Sequence, residues 1–208
     1  EPIQSEGGDN HATPYFFQKL RQITKNRGIF LIVDEVQTGV VTSGYMWAHE
    51  SWQLIDPPDF VTFSKKAQIG GYFYRQETKP LLPYRIFNTW MGDPCKLLHL
   101  ELIIDVIRQD NLQEKTIECG KVLLDGLKTL QDKYSVLSSA RGMGTLCAIN
   151  VSSSDLRNNI VQTTLNRGAL IGACGTQSIR FRPPLTFTNK DVVLLLGILE
   201  DAIVEVTE

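Results

Sequence analysis

The sequence has 208 residues, of which 42% are hydrophobic and 21% are charged, and its formal net charge is −2. These proportions are typical of a globular protein and exclude a disordered or collagen-like chain. The small net charge provides no broad basic surface for a nucleic acid, and no run approaches the roughly 20 apolar residues of a membrane span. We therefore expect neither a nucleic acid nor a membrane as a partner.

The first predicted element is a helix over residues 13–27. Thr13 can cap it, Pro14 suits its first turn, and apolar residues recur at helical spacing up to a glycine. Residues 29–33 form an apolar run that ends in Asp34. Because the run is apolar on both faces, it is typical of a strand buried in a parallel sheet. A helix followed by such a strand indicates an α/β fold.

Two more strand candidates, residues 61–64 and 70–74, come next, and the first of them ends in Lys65. Strongly apolar helices are then predicted over residues 97–107 and 114–134. The rest of the chain mixes strands and helices in an α+β pattern, predicted at residues 145–151, 155–167, 169–173, 178–182 and 190–206. The change in character predicts a boundary near residue 110.

The four cysteines are widely spaced. They stand at positions 95, 119, 147 and 174, with no CxxC pair and no adjacent histidine. This pattern favours neither a zinc site nor a disulfide framework, so we expect reduced, mostly buried thiols and no metal.

Asp34 and Lys65 each follow a predicted strand directly. Ligands of open α/β sheets bind beyond the carboxyl ends of the strands, so the two side chains could face one crevice. The alternative is that both are solvated charges that merely end their strands. An acidic residue after an apolar strand could also serve the Mg²⁺ site of an ATPase, but only if a phosphate-binding G-x-x-x-x-G-K-[ST] loop lies upstream, because these residues contain none. The G-x-G-x-x-G and G-x-S-x-G motifs are absent as well.

A lysine and an aspartate that meet at one cofactor are the requirement of pyridoxal phosphate chemistry. The lysine amine forms a Schiff base, and the carboxylate keeps the pyridine nitrogen protonated. The ring can then accept the electrons of a substrate carbanion. This chemistry accounts for Asp34 and Lys65 together.

Five segments resemble the class-III pyridoxal-phosphate-dependent aminotransferase family. They are Glu1–Asp9, Val33–Gly39, Phe63–Lys66, Tyr84–Trp90 and Ile179–Pro183. The resemblance implies the α/β fold of the fold-type-I transferases. Residues 1–110 would be the C-terminal part of the large mixed-sheet domain that binds the cofactor, and residues 111–208 would be the small α+β domain.

The same resemblance assigns Lys65 as the lysine that holds pyridoxal 5′-phosphate and later moves a proton. Lys66 is the alternative, but neighbouring side chains on an extended segment point to opposite sides, so one of the two is expected to reach the cofactor. Further cofactor contacts are implied for Asp34 at the pyridine nitrogen, Val36 on the ring face, Gln37 at the phenolic oxygen and Ser64 beside the lysine.

By resemblance, Thr89 would contact the cofactor phosphate of a neighbouring subunit, which implies a homodimer with shared sites. Arg180 would bind the α-carboxylate of glutamate through its guanidinium fork. Arg182 is the alternative, because strand spacing does not separate the two arginines. Glu6 would neutralise Arg180 when the bound substrate has no α-carboxylate. An incidental ion pair is the alternative for Glu6.

The motifs around Glu1–Asp9 and Tyr84–Trp90 narrow the resemblance to members that move the amino group of 4-aminobutyrate to 2-oxoglutarate, through the pyridoxal and pyridoxamine forms of the cofactor. Succinate semialdehyde and glutamate are the products. Alternatives are another class-III ω-aminotransferase, such as one acting on ornithine, or a truncated, non-catalytic, dimerising subunit. The resemblance further suggests the mitochondrial matrix, although the chain shows no targeting segment.

The resemblance covers only the C-terminal half of such an enzyme, so we expect the chain alone to be inactive.

Two segments depart from the family pattern. Val40–Ser43 stands where a glycine-rich turn is usual, and Ala67–Ile69 stands where methionines and threonine are common. We therefore expect the local backbone or packing near the cofactor to differ.

Overall fold

The computed structural model describes residues 1–208. The first part of the chain contains β1 (Ile3–Gln4), β2 (Asn10–His11), α1 (Pro14–Asn26), β3 (Ile32–Asp34), β4 (Phe60–Phe63), β5 (Gly71–Tyr74) and α2 (Pro94–Gln109). The remainder contains α3 (Leu112–Lys133), β6 (Leu137–Met143), β7 (Leu146–Val151), α4 (Ser154–Asn166), β8 (Gly172–Cys174), β9 (Ser178–Phe181) and α5 (Asn189–Thr207). No helix combines the length and the apolarity that crossing a membrane requires.

The first helix lies where its sequence predicts. Thr13 caps α1 by accepting a hydrogen bond from the amide of Phe16 at 3.3 Å, and Pro14 occupies the first turn. Phe17 faces inward and stacks on Trp52 with 3.7 Å between ring centroids. Phe17 and Trp52 share a core with Val33 of β3 and Val61 of β4, which holds α1 against the three-stranded sheet.

That sheet has the order β3-β4-β5, with β3 parallel to β4 and β4 antiparallel to β5. The expectation of a strand buried on both faces is wrong. The strand begins at Ile32 rather than residue 29, and Ile32 is 61% exposed whereas Val33 is 3% exposed. The physical reason is that β3 is an edge strand whose Val33 side alone packs into a core, which also contains Phe17 and Trp52.

The second sheet is antiparallel and has the order β6-β7-β9-β8. It shares one core with α3, α4 and α5. The helices and β7 and β9 match their predicted positions within a few residues, whereas the strand predicted at 169–173 lies at Gly172–Cys174. Strand β6 was not predicted, because its polar residues and a register shift between Ser138 and Arg141 remove the alternation of a regular strand.

Three buried, free cysteines agree with the expectation of unpaired thiols, and only Cys95 is exposed. The turn at Val40 and Val41 has φ values of 58° at both residues, a left-handed conformation that glycine adopts more easily than valine. The two side chains are buried with Ala67, Ile107 and Leu112. Leu112 belongs to α3, so this cluster reaches across residue 110, and the domain boundary there stays a prediction.

Candidate functional site

Asp34 is the last residue of β3, and Lys65 follows the neighbouring parallel strand β4, so both lie at the same edge of the first sheet. Asp34 pairs with Thr62 in the register of β3 and β4. Beyond the strands, the Glu35 amide donates to the Thr62 carbonyl at 2.9 Å, and the Lys65 amide donates to the Val36 carbonyl at 3.2 Å. The main chain therefore keeps the two segments together, and the side chains of Asp34 and Lys65 are both exposed there.

Asp34, Val36 and Gln37 line one small cavity of about 110 Å³, together with Glu1, Ile3 and Thr38. The turn is fixed locally, since the Asp34 carboxylate accepts a hydrogen bond from the Val36 amide at 3.0 Å. Ser64 lies half-buried between β4 and Lys65. A carboxylate, an amide and a primary amine thus stand at one edge of the sheet.

The two adjacent lysines have different surroundings. The Lys66 ammonium donates to the Pro183 carbonyl at 3.1 Å, and burial, aided by the charge of Arg182, lowers the pKa of Lys66. Lys65 is exposed. Residues Lys65–Ala67 form a short 3-10 helix, so the expectation of an extended segment here is wrong. Lys66 is held by its tertiary partner instead, and Lys65 is the lysine that remains accessible.

Glu6 connects Arg180 of the second sheet with the residues at the edge of the first sheet. Its carboxylate accepts a hydrogen bond from the Arg180 guanidinium at 2.5 Å. The bond and the charge of Arg180 lower the pKa of Glu6, and the Gln37 amide and the Lys65 ammonium lower it further. Glu6 therefore lies within electrostatic reach of three residues that are far from it in the sequence, Gln37, Lys65 and Arg180.

Arg180 and Arg182, which the sequence does not separate, differ in their partners. Arg182 pairs with Asp9, whose side chain is 1% exposed. Arg180 pairs with Glu6, whose side chain is 70% exposed. A buried pair is costly to break, whereas an exposed carboxylate can exchange its partner for a ligand or water. Arg180 is therefore the arginine with a replaceable partner.

Two supporting residues, Arg141 and Asp9, were missed by the sequence reasoning. The Arg141 guanidinium donates to the carbonyls of Gly8 and Asp9 and to the Ser178 hydroxyl. It thereby fixes the main chain that follows Glu6 against the second sheet. Nothing in its sequence context, a bulged polar strand, would have identified Arg141.

Thr89 has no observed contact with the residues of this site within the single chain. It belongs to an exposed segment between β5 and α2, outside the residues that line the cavity at Asp34. Neighbouring residues Phe87, Asn88 and Trp90 instead line a separate, open cavity of about 870 Å³ with Tyr72 of β5. The implied role of Thr89 at another subunit's cofactor stays a prediction.

Residues 1–203 match the family model described as aminotransferase class-III. The chain belongs to the class-III aminotransferases. This confirms the family and the fold indicated by the motifs.

Among its curated relatives, this class-III aminotransferase chain is 48% identical over 206 residues to the mitochondrial 4-aminobutyrate aminotransferase of Sus scrofa and 47% identical to that of Homo sapiens. Each alignment covers 99% of the chain and 41% of the relative. The chain thus spans about two fifths of the length of these relatives.

A solved structure of lysine aminotransferase from M. tuberculosis, in its internal aldimine form, superposes with a TM-score of 0.94 at 30% identity. That match covers 99% of this chain and 48% of the other. The structure of ornithine aminotransferase from Toxoplasma gondii, with a TM-score of 0.89 and 25% identity, contains pyridoxal phosphate at partial occupancy. The family thus uses the cofactor that the lysine and the aspartate predict.

Proposed function

We propose that this chain supplies one side of the pyridoxal phosphate site of an aminotransferase that converts 4-aminobutyrate and 2-oxoglutarate into succinate semialdehyde and glutamate. The 2.5 Å contact of Arg180 with Glu6, which also lies near Gln37 and Lys65, carries the proposal, because it joins the cofactor side to the substrate side of one site. The similarity to 4-aminobutyrate aminotransferases over nearly the whole chain supports the choice of substrates.

The donor groups at the edge of the first sheet suit the cofactor. Asp34 would pair with the pyridine nitrogen, Gln37 would donate to the phenolic oxygen, and Val36, which lines the same cavity, would cover the ring face. Ser64 would add a contact beside the lysine. When bound, the cofactor supplies an electron sink for the substrate carbon.

Lys65 would hold the cofactor covalently and then act as the base that moves the proton at the substrate carbon. Its exposure leaves the amine free to reach a ligand, whereas Lys66 is engaged with Pro183. Asp34 lies on the neighbouring strand, so the amine and the carboxylate approach the ring from separate strand ends.

Arg180 would bind the α-carboxylate of glutamate or 2-oxoglutarate, and Glu6 would leave it at that moment. When 4-aminobutyrate is bound, no α-carboxylate is present, and Glu6 would return to neutralise the guanidinium. The exposed side chain of Glu6 permits this movement, while Arg182 and Asp9 stay paired in the interior.

We also propose a homodimer in which Thr89 reaches the phosphate of the partner's cofactor. The exposed apolar residues around it, Ile86, Phe87 and Trp90, suit a subunit interface better than solvent. We further propose a mitochondrial location, which the names of the relatives support.

The decisive test is the attachment of the cofactor to Lys65. We expect the purified chain to form a coloured adduct with pyridoxal phosphate that borohydride traps on Lys65, as located by peptide mass mapping. Lys65→Ala should remove this specific signal, and Lys66→Ala, the matched control, should keep it. Trapping on Lys66, or equal labelling of all surface lysines, would contradict the proposal.

The second test concerns Glu6 in the full-length protein. In Glu6→Gln, we expect kcat/KM to fall about tenfold or more for 4-aminobutyrate, because Arg180 is left without a counter-charge. Reaction with glutamate, which brings its own carboxylate, should change much less. Equal losses for both amino donors, measured as separate half-reactions, would show that Glu6 does not act as a switch.

A further inference from the structure

Glu35 stands next to Asp34 but faces the opposite way. Asp34 is exposed at the edge of the candidate site, whereas the Glu35 side chain is 0% exposed. Neighbouring side chains at a strand end point to opposite faces, so the pair sends one carboxylate toward the site and one into the interior. A carboxylate is rarely buried without a reason, because removing its charge from water is costly.

The buried carboxylate is satisfied by hydrogen bonds from three residues. The Thr38 hydroxyl donates to it at 2.5 Å, the Ala48 amide at 3.1 Å and the His49 amide at 2.9 Å. The His49 ring nitrogen Nδ1 lies 2.8 Å from it. The two main-chain amides are fixed donors, one to each carboxylate oxygen, so both oxygens must accept, a role that a carboxylate fills and a glutamine side chain, with a nitrogen in place of one oxygen, does not.

Through Glu35, these bonds join the start of a long turn to its end. Thr38 stands near its start, and Ala48 and His49 stand at its end, ten or more residues further along. The main chain adds a bond from the Gly39 amide to the Glu35 carbonyl at 2.9 Å. Between these anchors lie Val36 and Gln37, which line the cavity beside Asp34.

We propose that Glu35 is a positioning residue for the cofactor: its buried carboxylate, held by Thr38, Ala48 and His49, fixes the turn that presents Asp34 and Gln37 to the ring. The proposal rests on the function proposed above and deepens it. Glu35 touches neither the cofactor nor the substrate and acts only through the orientation of its neighbours.

The His49 side chain provides a second way to test the role of Glu35. To donate to Glu35, its Nδ1 must carry a proton, so the imidazole is either the Nδ1–H tautomer or fully protonated. Asparagine can place an amide N–H where Nδ1–H stands, whereas alanine cannot. His49→Asn and His49→Ala are therefore a matched pair that differ in the donor.

The experiment compares Glu35→Gln, Asp34→Asn, His49→Ala and His49→Asn with the parent chain, well below each melting temperature. Pyridoxal phosphate is titrated in, and the absorbance of the bound cofactor is followed from pH 6 to pH 9. We expect Glu35→Gln to weaken cofactor binding roughly tenfold and to shift the pH profile toward that of Asp34→Asn. His49→Ala should move in the same direction, and His49→Asn should restore the parent profile.

Hydrogen exchange without cofactor provides an independent readout. We expect the amides of residues 36–39 to exchange at least tenfold faster in Glu35→Gln while β7 and β9 keep their protection. A Glu35→Gln chain that melts earlier but keeps the parent's pH profile and slow exchange at residues 36–39 would overturn the proposal. If the parent fails to trap cofactor on Lys65, the proposed function falls instead, and the exchange data alone then decide whether Glu35 fixes the turn.

Discussion

Gly120→Ala is expected to destabilise the fold by about 3 kcal/mol or more, at the upper end of the cost of overpacking a core. A Cβ at this position of α3 would overlap the carbonyl oxygen of Gly144 in the turn between β6 and β7. Main-chain atoms cannot rotate away as a side chain can. Gly144 is itself confined, because it has a φ of +55° and lies against the main chain of Ser43.

Gly197→Ala is the matched control, since it places the same methyl group in the middle of another helix. Nothing lies within 4 Å of a Cβ at Gly197, and the residue is exposed. We expect this variant to stabilise α5 by about 0.5–1 kcal/mol through helix propensity alone. Urea unfolding of both variants measures the difference. A neutral Gly120→Ala would show that α3 does not approach the β6–β7 turn this closely.

The same contact explains why local sequence patterns predict the elements better than their assembly. The start of helix α1 can be predicted from Thr13 and Pro14, because capping depends on residues that are neighbours in sequence. The predicted start of strand β3, residue 29, comes before its actual start, and the predicted burial of both faces is wrong. An apolar run such as residues 29–33 does not reveal how many strands flank it. The close packing of Gly120 on Gly144 leaves no trace in the sequence beyond two glycines.

In the candidate site, too, the sequence identifies some residues, whereas others are distinguished only by their tertiary contacts. Asp34 and Lys65 could be singled out from their positions after two strands, and the motifs assign roles to Gln37 and Arg180 by resemblance. Choosing between adjacent lysines required a tertiary partner, the Pro183 carbonyl that holds Lys66.

The choice between the arginines also required a contact that spans most of the chain, the buried pair of Arg182 with Asp9. Glu35 has no signal in the sequence beyond its place in the charged pair that ends an apolar run. Its burial became evident only with the turn that closes over it.

Arg21→Met is expected to cost about 3 kcal/mol or more of unfolding free energy, because it leaves a buried carboxylate without its main partner. The Arg21 guanidinium, 4% exposed, binds Asp59 at 2.6 Å and also reaches Asp56 at 2.5 Å. Asp59 also accepts from the Leu31 amide at 2.7 Å, just before β3. Arg21 therefore ties α1 to the segments that enter β3 and β4, whose far ends bear Asp34 and Lys65.

Acid titration identifies the carboxylate that is responsible. Burial raises the pKa of Asp59, but the hydrogen bonds from Arg21 and the Leu31 amide, with the charges of Arg21 and Arg75, outweigh it and leave the pKa below the ordinary value. A lowered pKa contributes stability that is complete above the unfolded value, about 4, and is lost as the pH falls through the folded one. The gap between parent and Arg21→Met should therefore be widest near pH 7 and should narrow as the pH falls through the lowered pKa of Asp59 in the folded parent.

Adding Asp59→Asn to Arg21→Met removes the charge that the first change leaves unpaired. At pH 7, we expect the double variant to lose less unfolding free energy than the two single variants lose together. Contacting charges show this coupling, and distant ones do not. Arg21→Lys, which keeps the charge but loses the planar fork, should fall between parent and Arg21→Met. Strictly additive losses, or a gap that persists unchanged at low pH, would mean that Arg21 stabilises α1 through its packing and not through Asp59.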